Sequence, residues 1–262
     1  MLPDGLRPAI VITGASNGIG LAMARAAAGS QPIVLIGRSQ ERLEAIAREV
    51  EERGSEAFVL NLDLIAAGAA SRVKDYLDDN RLVCDVLVNS AGHGIQGLAA
   101  AQPLADQLDM IDLNARLLVE LTLALLPAMV GRRRGGVINM GSIAGLVPGP
   151  HMAVYYATKS FVSSFSQALH EELRNTGVTV TCVVPGPVET DFLSGRGIKD
   201  LRVFSYLPDL TADEVAASAW RGFRRGKRMV VPGLASKAAA LLTWLVPTGL
   251  ILPKVASVQK RK

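Results

Sequence analysis

Tyr155 and Lys159 stand four residues apart in the run Tyr155-Tyr156-Ala157-Thr158-Lys159, and Ser142 lies thirteen residues before Tyr155. On a helix, positions i and i+4 share a face, with Cβ atoms about 5–6 Å apart. A free phenol titrates near pH ~10, too high for proton transfer at neutral pH. An ammonium beside it favours the phenolate and pulls the pKa down. Such a pair suits general acid/base chemistry, giving a proton to a carbonyl oxygen or taking one from a hydroxyl.

A second chemical feature opens the chain. Thr13-Gly14-Ala15-Ser16-Asn17-Gly18-Ile19-Gly20 follows an apolar run and leads into a helical one. Glycines at Gly14, Gly18 and Gly20 let the backbone turn tightly and approach a pyrophosphate. The helix N-terminus behind them offers free N–H groups and the positive end of its dipole. Its place between strand and helix marks this glycine trio as a nucleotide cradle. After the second apolar run comes Gly37-Arg38-Ser39, with no acid where one would bind the ribose hydroxyls and repel a 2′-phosphate. Arg38 can grip a phosphate through a forked, charge-assisted contact, and Ser16 and Asn17 can add hydrogen bonds. The pattern favours NADP(H), with NAD(H) as the alternative.

These features need strands to end beside them. Ala9–Thr13, Ile33–Ile36, Ala57–Leu60, Val86–Val88, Val137–Met140, Val178–Val184 and Met229–Val231 are short, continuously apolar runs. That is the pattern of parallel strands covered on both faces. Gln40–Arg53 carries Leu43, Ile46, Ala47 and Val50 on one face and charges opposite. Leu108–Val130 and Ala153–Thr176 are longer and more apolar. Alternating units of this kind imply an α/β fold, a doubly wound parallel sheet of about seven strands with helices on both faces. The 262 residues contain no dividing linker, so residues 1–262 read as a single domain.

About half the residues (49%) are apolar, enough for a sizeable core, and the net charge is a modest +4. Basic clusters at Arg132–Arg134, Arg221–Arg228 and Lys260–Lys262 lack interleaved aromatics apart from Phe223. Nucleic acid is therefore not an expected partner. Cys84 and Cys182 sit in apolar runs and read as buried free thiols of a reducing, cytoplasmic protein. No signal peptide is expected, because Met1–Pro8 is short and carries Asp4 and Arg7. No His, Cys, Asp or Glu group has metal-ligand spacing. His93 and His151 read as structural or surface histidines rather than further acid/base groups, and His170, beside Glu171 and Glu172, as a surface residue.

Taken together, these residues resemble the short-chain dehydrogenase/reductase family over roughly residues 9–233, with its Rossmann-type sheet. The resemblance implies that Asp63 and Leu64 contact the adenine. It implies that Asn89-Ser90-Ala91-Gly92, with Asn89, Ala91 and Gly92 matching, closes the fourth strand beside the cofactor. Ser90 departs from the family's second asparagine. Asn114 matches the asparagine whose helix kinks and holds a relay water. Ser142 matches the serine that binds the substrate oxygen, Tyr155 the acid/base, and Lys159 the residue that lowers the tyrosine pKa and binds the nicotinamide ribose. The segment Pro185, Gly186, Val188 and Thr190 matches the one around the nicotinamide amide. Tyr156, three residues before Lys159, also lies on a helical face; the family register and the distance to Ser142 favour Tyr155.

The implied activity is NADP(H)-dependent carbonyl/alcohol interconversion on a small, apolar substrate. The alternative from another class is a non-catalytic redox sensor or scaffold on the same fold, and the presence of Asn114, Ser142, Tyr155 and Lys159 together argues against it. Residues 190–210 are expected to form a substrate lid. Residues 234–262 form an apolar, basic C-terminal extension, within which Ala238–Pro253 carries no charge. Pro247 and Gly249 interrupt it, which disfavours a bilayer span of about 20 residues. It covers the substrate site or a subunit interface, or it touches a membrane peripherally. A homodimer or homotetramer through the two long helices is expected from the resemblance.

Overall fold

The computed structural model describes residues 5–188 and 208–259. The chain runs from β1 (Arg7–Thr13) through α1 (Gly18–Ala27), β2 (Ile33–Gly37), α2 (Gln40–Glu52), β3 (Ala57–Asn61) and α3 (Ala69–Asp79). Next come β4 (Leu82–Asn89) and α4 (Leu104–Ile111), which passes through a π turn (Asp112–Arg116) straight into α5 (Leu117–Arg132). β5 (Gly135–Met140), a 3-10 turn (Ile143–Leu146), α6 (Ala153–Glu172), β6 (Val178–Val183), α7 (Ala212–Arg224) and β7 (Met229–Val230) follow. Two C-terminal helices, α8 (Leu234–Leu245) and α9 (Thr248–Gln259), close the described chain.

The strands form one parallel sheet in the order β3-β2-β1-β4-β5-β6-β7. The chain winds outward from β1 to β3, then returns to place β4 against the other side of β1. Strand order reverses there, and the ends of β1 and β4 open the crevice where ligands bind in such sheets.

Continuous apolar strands are explained by the two cores. Ala9, Val11, Val34, Ile36 and Leu87 point to one face, packed by Val73 of α3, Leu121 and Leu125 of α5 and Leu169 of α6. Ile10, Ile12, Ile33, Leu35 and Val88 point to the other, against Met23 of α1, Leu43 and Val50 of α2 and Val215 of α7. Each fully buried Ile or Leu contributes about 1.5–3 kcal/mol.

A polar chain crosses the first core. Asn89 Nδ2 donates to Thr122 Oγ1 (3.1 Å) and to Asn139 Oδ1 (2.9 Å), and Asn139 Nδ2 donates to Ser166 Oγ (2.9 Å). Asn89 and Asn139 are paired in register on β4 and β5. The network ties both strands to α5 and α6. Losing one member would leave a buried partner unsatisfied, at a cost of about 1–3 kcal/mol.

Several boundaries differ from expectation. The long helix around Leu108–Val130 is two helices separated by the π turn. α6 stops at Glu172 rather than Thr176 because Asn175 (φ 70°) and Gly177 (φ 84°) take the left-handed conformation. The uncharged segment Ala238–Pro253 breaks at Pro247, where α8 gives way to α9. His170 is not a surface residue: it is part-buried and its Nδ1 lies 2.7 Å from the Val180 carbonyl, tying α6 to β6. Thr190 and most of the expected lid at 190–210 lie outside the described residues.

Candidate active site

Both chemical features sit at the C-terminal ends of β1, β4 and β5. Gly14 leaves β1 with φ 67°, and a Cβ added there would come within 2.8 Å of Ala91 Cα. A Cβ on Gly20 would overlap the Gly14 carbonyl oxygen. Gly18 takes φ 55°, and Asn17 Oδ1 accepts its N–H at 2.6 Å as the N-cap of α1. Thr13 Oγ1 accepts the N–H groups of both Ser90 and Ala91 at 3.1 Å, locking the two strand ends together. The first turn of α1 contains no acid. The cradle is thus a positive helix end that only glycine can form, which fits a pyrophosphate.

Ser16 lies against Gly37, whose added Cβ would be 3.2 Å from Ser16 Oγ. Arg38 is exposed beside it, and among the described residues no acidic side chain pairs with it. Asn61 Nδ2 donates to the Arg38 carbonyl at 3.3 Å. Asp63 is exposed and accepts the Ile65 N–H, while Leu64 is buried below it. Asn89 points elsewhere: its amide is committed to the buried network, so it shapes the crevice without facing it.

The Ser142, Tyr155, Lys159 and Asn114 side chains converge deeper in the crevice. Ser142 caps the 3-10 turn after β5, its Oγ accepting the Ala144 N–H at 3.1 Å, and it shares a hydrogen bond with Tyr155. Lys159 is buried; its Nζ donates to the Met140 carbonyl at 2.8 Å and lies 5.9 Å from the Tyr155 ring centroid. Asn114 lies in the π turn. Its Oδ1 accepts the His93 N–H (3.0 Å), and its Nδ2 donates to the His93 carbonyl (2.8 Å) and to Thr158 Oγ1 (3.1 Å). Thr158 in turn donates to the Tyr155 carbonyl at 2.8 Å. Asn114 therefore reaches Tyr155 through Thr158, a residue that sequence reasoning passed over. A Cβ on Gly92 would lie 2.9 Å from Asn114 Oδ1 and 3.7 Å from Lys159 Nζ, so Gly92 brings the end of β4 into the same cluster.

The electrostatics differ from the sequence expectation. Burial pushes Tyr155 up to about 12, opposed only by the Ser142 hydrogen bond, and pushes Lys159 down to about 8. Lys159 was expected to lower the tyrosine. Instead its ammonium faces the ring and the Met140 carbonyl, and loss of water penalises the charged form of each residue.

Pro185 anchors the crevice floor, its carbonyl accepting the Ile143 N–H at 3.0 Å. Val188 bridges to Leu210, and Gly186 is pressed against Ser236 of α8. The chain end reaches the site too. Ile251 of α9 packs against the cluster of Ala144, Val147, Met152 and Tyr156, and Gln259 Nε2 donates to the Tyr156 hydroxyl at 2.6 Å. The Tyr156 hydroxyl is thus engaged by Gln259, and its ring stands edge-on to that of Tyr155 at 6.1 Å.

Comparisons agree with this geometry. The profile of the family described as "short chain dehydrogenase" matches residues 8–199. The chain is 39% identical over 190 residues to sulfoacetaldehyde reductase 2 of Chromohalobacter salexigens, covering 70% of this chain and 73% of that protein. It is 35% identical over 219 residues to the NADP-dependent 3-hydroxy acid dehydrogenase YdfG of Salmonella typhi, covering 80% and 87%. A solved short-chain dehydrogenase from Sphingobium yanoikuyae in complex with NADPH superposes with a TM-score of 0.79 at 33% identity, covering 93% of this chain and 95% of that one. The chain belongs to the short-chain dehydrogenase family.

Proposed function

We propose that this protein is an NADPH-dependent reductase of aldehydes or ketones, working reversibly on the corresponding alcohols. The observation that carries the reading is the Ser142–Tyr155 hydrogen bond beside Lys159, at the same crevice as the glycine cradle. The relatives named above support the oxidoreductase class and the phosphorylated cofactor, rather than a non-catalytic sensor.

Gly14, Ser16, Asn17, Gly18, Ile19 and Gly20 would hold the pyrophosphate, and Arg38 the 2′-phosphate. Asp63 and Leu64 would border the adenine, Ala91 and Gly92 the middle of the dinucleotide, and Pro185, Gly186, Val188 and Thr190 its nicotinamide end. NADPH, when bound, supplies a hydride to a carbonyl carbon. Tyr155 holds its proton at neutral pH and delivers it to the carbonyl oxygen as negative charge develops there. Ser142 Oγ hydrogen-bonds that same oxygen. Lys159 replenishes the proton through the buried cluster. Asn114 is a positioning residue, bracing Tyr155 through Thr158 and the loop through His93.

The discriminating test is a pair of fluorescence titrations with NADPH and NADH, followed by ketone-dependent consumption of whichever binds. Arg38→Glu should weaken NADPH by about 10–100-fold, the equivalent of a charge-assisted phosphate contact of about 1.5–3 kcal/mol, and leave NADH within about threefold. Equal weakening of both cofactors would remove Arg38 from the 2′-phosphate.

Two further expectations belong to this reading. Buried, unpaired Cys84 and Cys182 support a cytoplasmic location. Leu104, Leu108, Ile111, Leu123 and Phe161 leave apolar side chains exposed on α4, α5 and α6, which supports a homodimer or homotetramer through that face. Sedimentation velocity at assay concentration should show the oligomer; a monomer would refute it.

A further inference from the structure

The helix α8 packs inside out. Its small side chains turn inward: Ser236 is buried and lies directly against Gly186, and Ala239, Ala240 and Thr243 are half-buried. Its leucines face outward, with Leu234, Leu241, Leu242 and Leu245 between 58% and 83% exposed. An α-helix turns about 100° per residue, which sets Leu234, Leu241 and Leu245 within about 40° of one another along one stripe. An ordinary surface helix does the reverse, burying its leucines and presenting charges to water. The pattern continues at the start of α9, where Leu250 is 71% exposed. Single surface leucines need no account, but a stripe of them marks an interaction surface.

Charge decides what covers it. Residues 234–262 contain five basic residues, Lys237, Lys254, Lys260, Arg261 and Lys262, and no Asp or Glu. Taking those five from the 28 basic residues of the chain leaves 23 in residues 1–233, against all 24 acidic residues, a net charge of −1. The whole positive charge of the protein is therefore carried by the segment that exposes the leucines. Lys237 stands three residues after Leu234 on α8, and Lys254 four residues after Leu250 on α9; both are exposed, so cations border the apolar surface. A second copy meeting the stripe about a two-fold axis would set this basic segment against itself. An anionic lipid surface suits both features, its acyl chains taking the leucines and its headgroup phosphates the ammonium groups.

We propose that α8 and the start of α9 dock the protein peripherally on an anionic membrane surface. Leu234, Leu241, Leu245 and Leu250 enter the boundary between headgroups and acyl chains, and Lys237 and Lys254 contact lipid phosphates. The 12 residues of α8 are too few to cross a bilayer, which takes about 20, so the helix lies along the interface. The exposed apolar residues of α4, α5 and α6 belong to other elements, so docking leaves that candidate subunit surface free. Ser236 seats α8 against Gly186, at the candidate nicotinamide end of the crevice. A docked protein therefore holds that end of the crevice near the bilayer.

Co-sedimentation with lipid vesicles tests it. The full chain should bind vesicles of phosphatidylglycerol mixed with phosphatidylcholine at least about tenfold more tightly than vesicles of phosphatidylcholine alone, since each cation near an anionic surface is worth about fivefold. High salt should erase that difference. The double variant Leu241→Glu/Leu245→Glu should lose at least about tenfold of the binding, because it places two anions where the acyl boundary would be. Lys237→Gln/Lys254→Gln should lose about tenfold on the anionic vesicles and stay unchanged on phosphatidylcholine. All four side chains are exposed, so both variants should fold and titrate NADPH as the wild type does. No binding to anionic vesicles, equal binding to both lipids, or wild-type binding by the leucine variant overturns the proposal. Sedimentation velocity without lipid separates the other occupant. The leucine variant should keep the oligomeric state of the wild type; a smaller species would assign the stripe to a contact between copies and overturn the membrane. None of these readouts needs turnover, so they stand whatever becomes of Tyr155 as the acid.

Discussion

Tyr155→Phe should lower turnover by about 10²–10⁴-fold, the usual worth of a positioned general acid, and leave the NADPH dissociation constant within about twofold. The substitution removes one hydroxyl and keeps the ring. The edge-on contact with Tyr156 and the packing against the cluster of Ala144, Val147 and Met152 survive. Ser142 loses one hydrogen bond and retains the Ala144 N–H, so stability should change by about 1 kcal/mol. The pH profile gives the same assignment a second readout. Tyr155 keeps its proton until about 12, so the acid form is available throughout the working range. Lys159 discharges near 8. Ketone reduction should therefore be fastest below pH 8 and fall as pH rises through that value, because the cluster no longer holds the replacement proton. In Lys159→Met that limb should disappear along with most of the activity. Full turnover in Tyr155→Phe would end the proposal that this residue is the acid.

Gly20→Ala should abolish measurable nucleotide binding, with at least a 100-fold rise in the NADPH dissociation constant. The added methyl would overlap the carbonyl oxygen of Gly14, and Gly14 cannot retreat because Ala91 already packs against it. The first turn of α1 must move away from the end of β1, which breaks the cradle and costs about 1–3 kcal/mol in strain. A control shows that the geometry, and not glycine itself, is at issue. Gly131 lies inside α5 with open space where its Cβ would be. Gly131→Ala should therefore stabilise the protein by about 0.5–1 kcal/mol, the helix preference for alanine, and leave NADPH binding alone. Titration and thermal unfolding of both variants check the pair. Wild-type affinity in Gly20→Ala would show that the cradle does not bind the cofactor.

Much of this was legible in the residues because it rests on local chemistry. The alternation of apolar runs with amphipathic stretches gave all seven strands to within a few residues, and Gly14, Gly18 and Gly20 announce their loop by position. What escaped was non-local. Asn139 is a lone amide in an otherwise apolar strand, which is itself a signal of a buried partner, but nothing in sequence names Asn89, Thr122 or Ser166 as that network. Thr158 sits three residues after Tyr155 and reads as an ordinary helical threonine until Asn114, 44 positions away, is seen to donate to it. The expected depression of the Tyr155 pKa failed for a similar reason. Spacing places Lys159 on the right face, whereas depth of burial, which only tertiary packing sets, decides the sign. The role of Ala238–Pro253 stays open in the sequence between a cover, an interface and a membrane contact because an uncharged segment looks alike in all three.

The π turn at Asp112–Arg116 is a matter of phase. An α-helix advances about 100° per residue, and the Leu117 N–H here reaches back five residues to the Asp112 carbonyl, so the helical stretch carries one residue in excess. That surplus rotates everything after it by about a quarter turn relative to what precedes it. Only with that offset can Leu117, Leu118, Leu121, Leu125 and Met129 face the sheet while Asn114 faces His93 and Thr158. Deleting one residue from the turn would leave a straight, regular helix able to satisfy one partner surface at a time. Seating α5 in the core and seating the asparagine in the crevice are consequently the same event, and a change that unwinds one dephases the other.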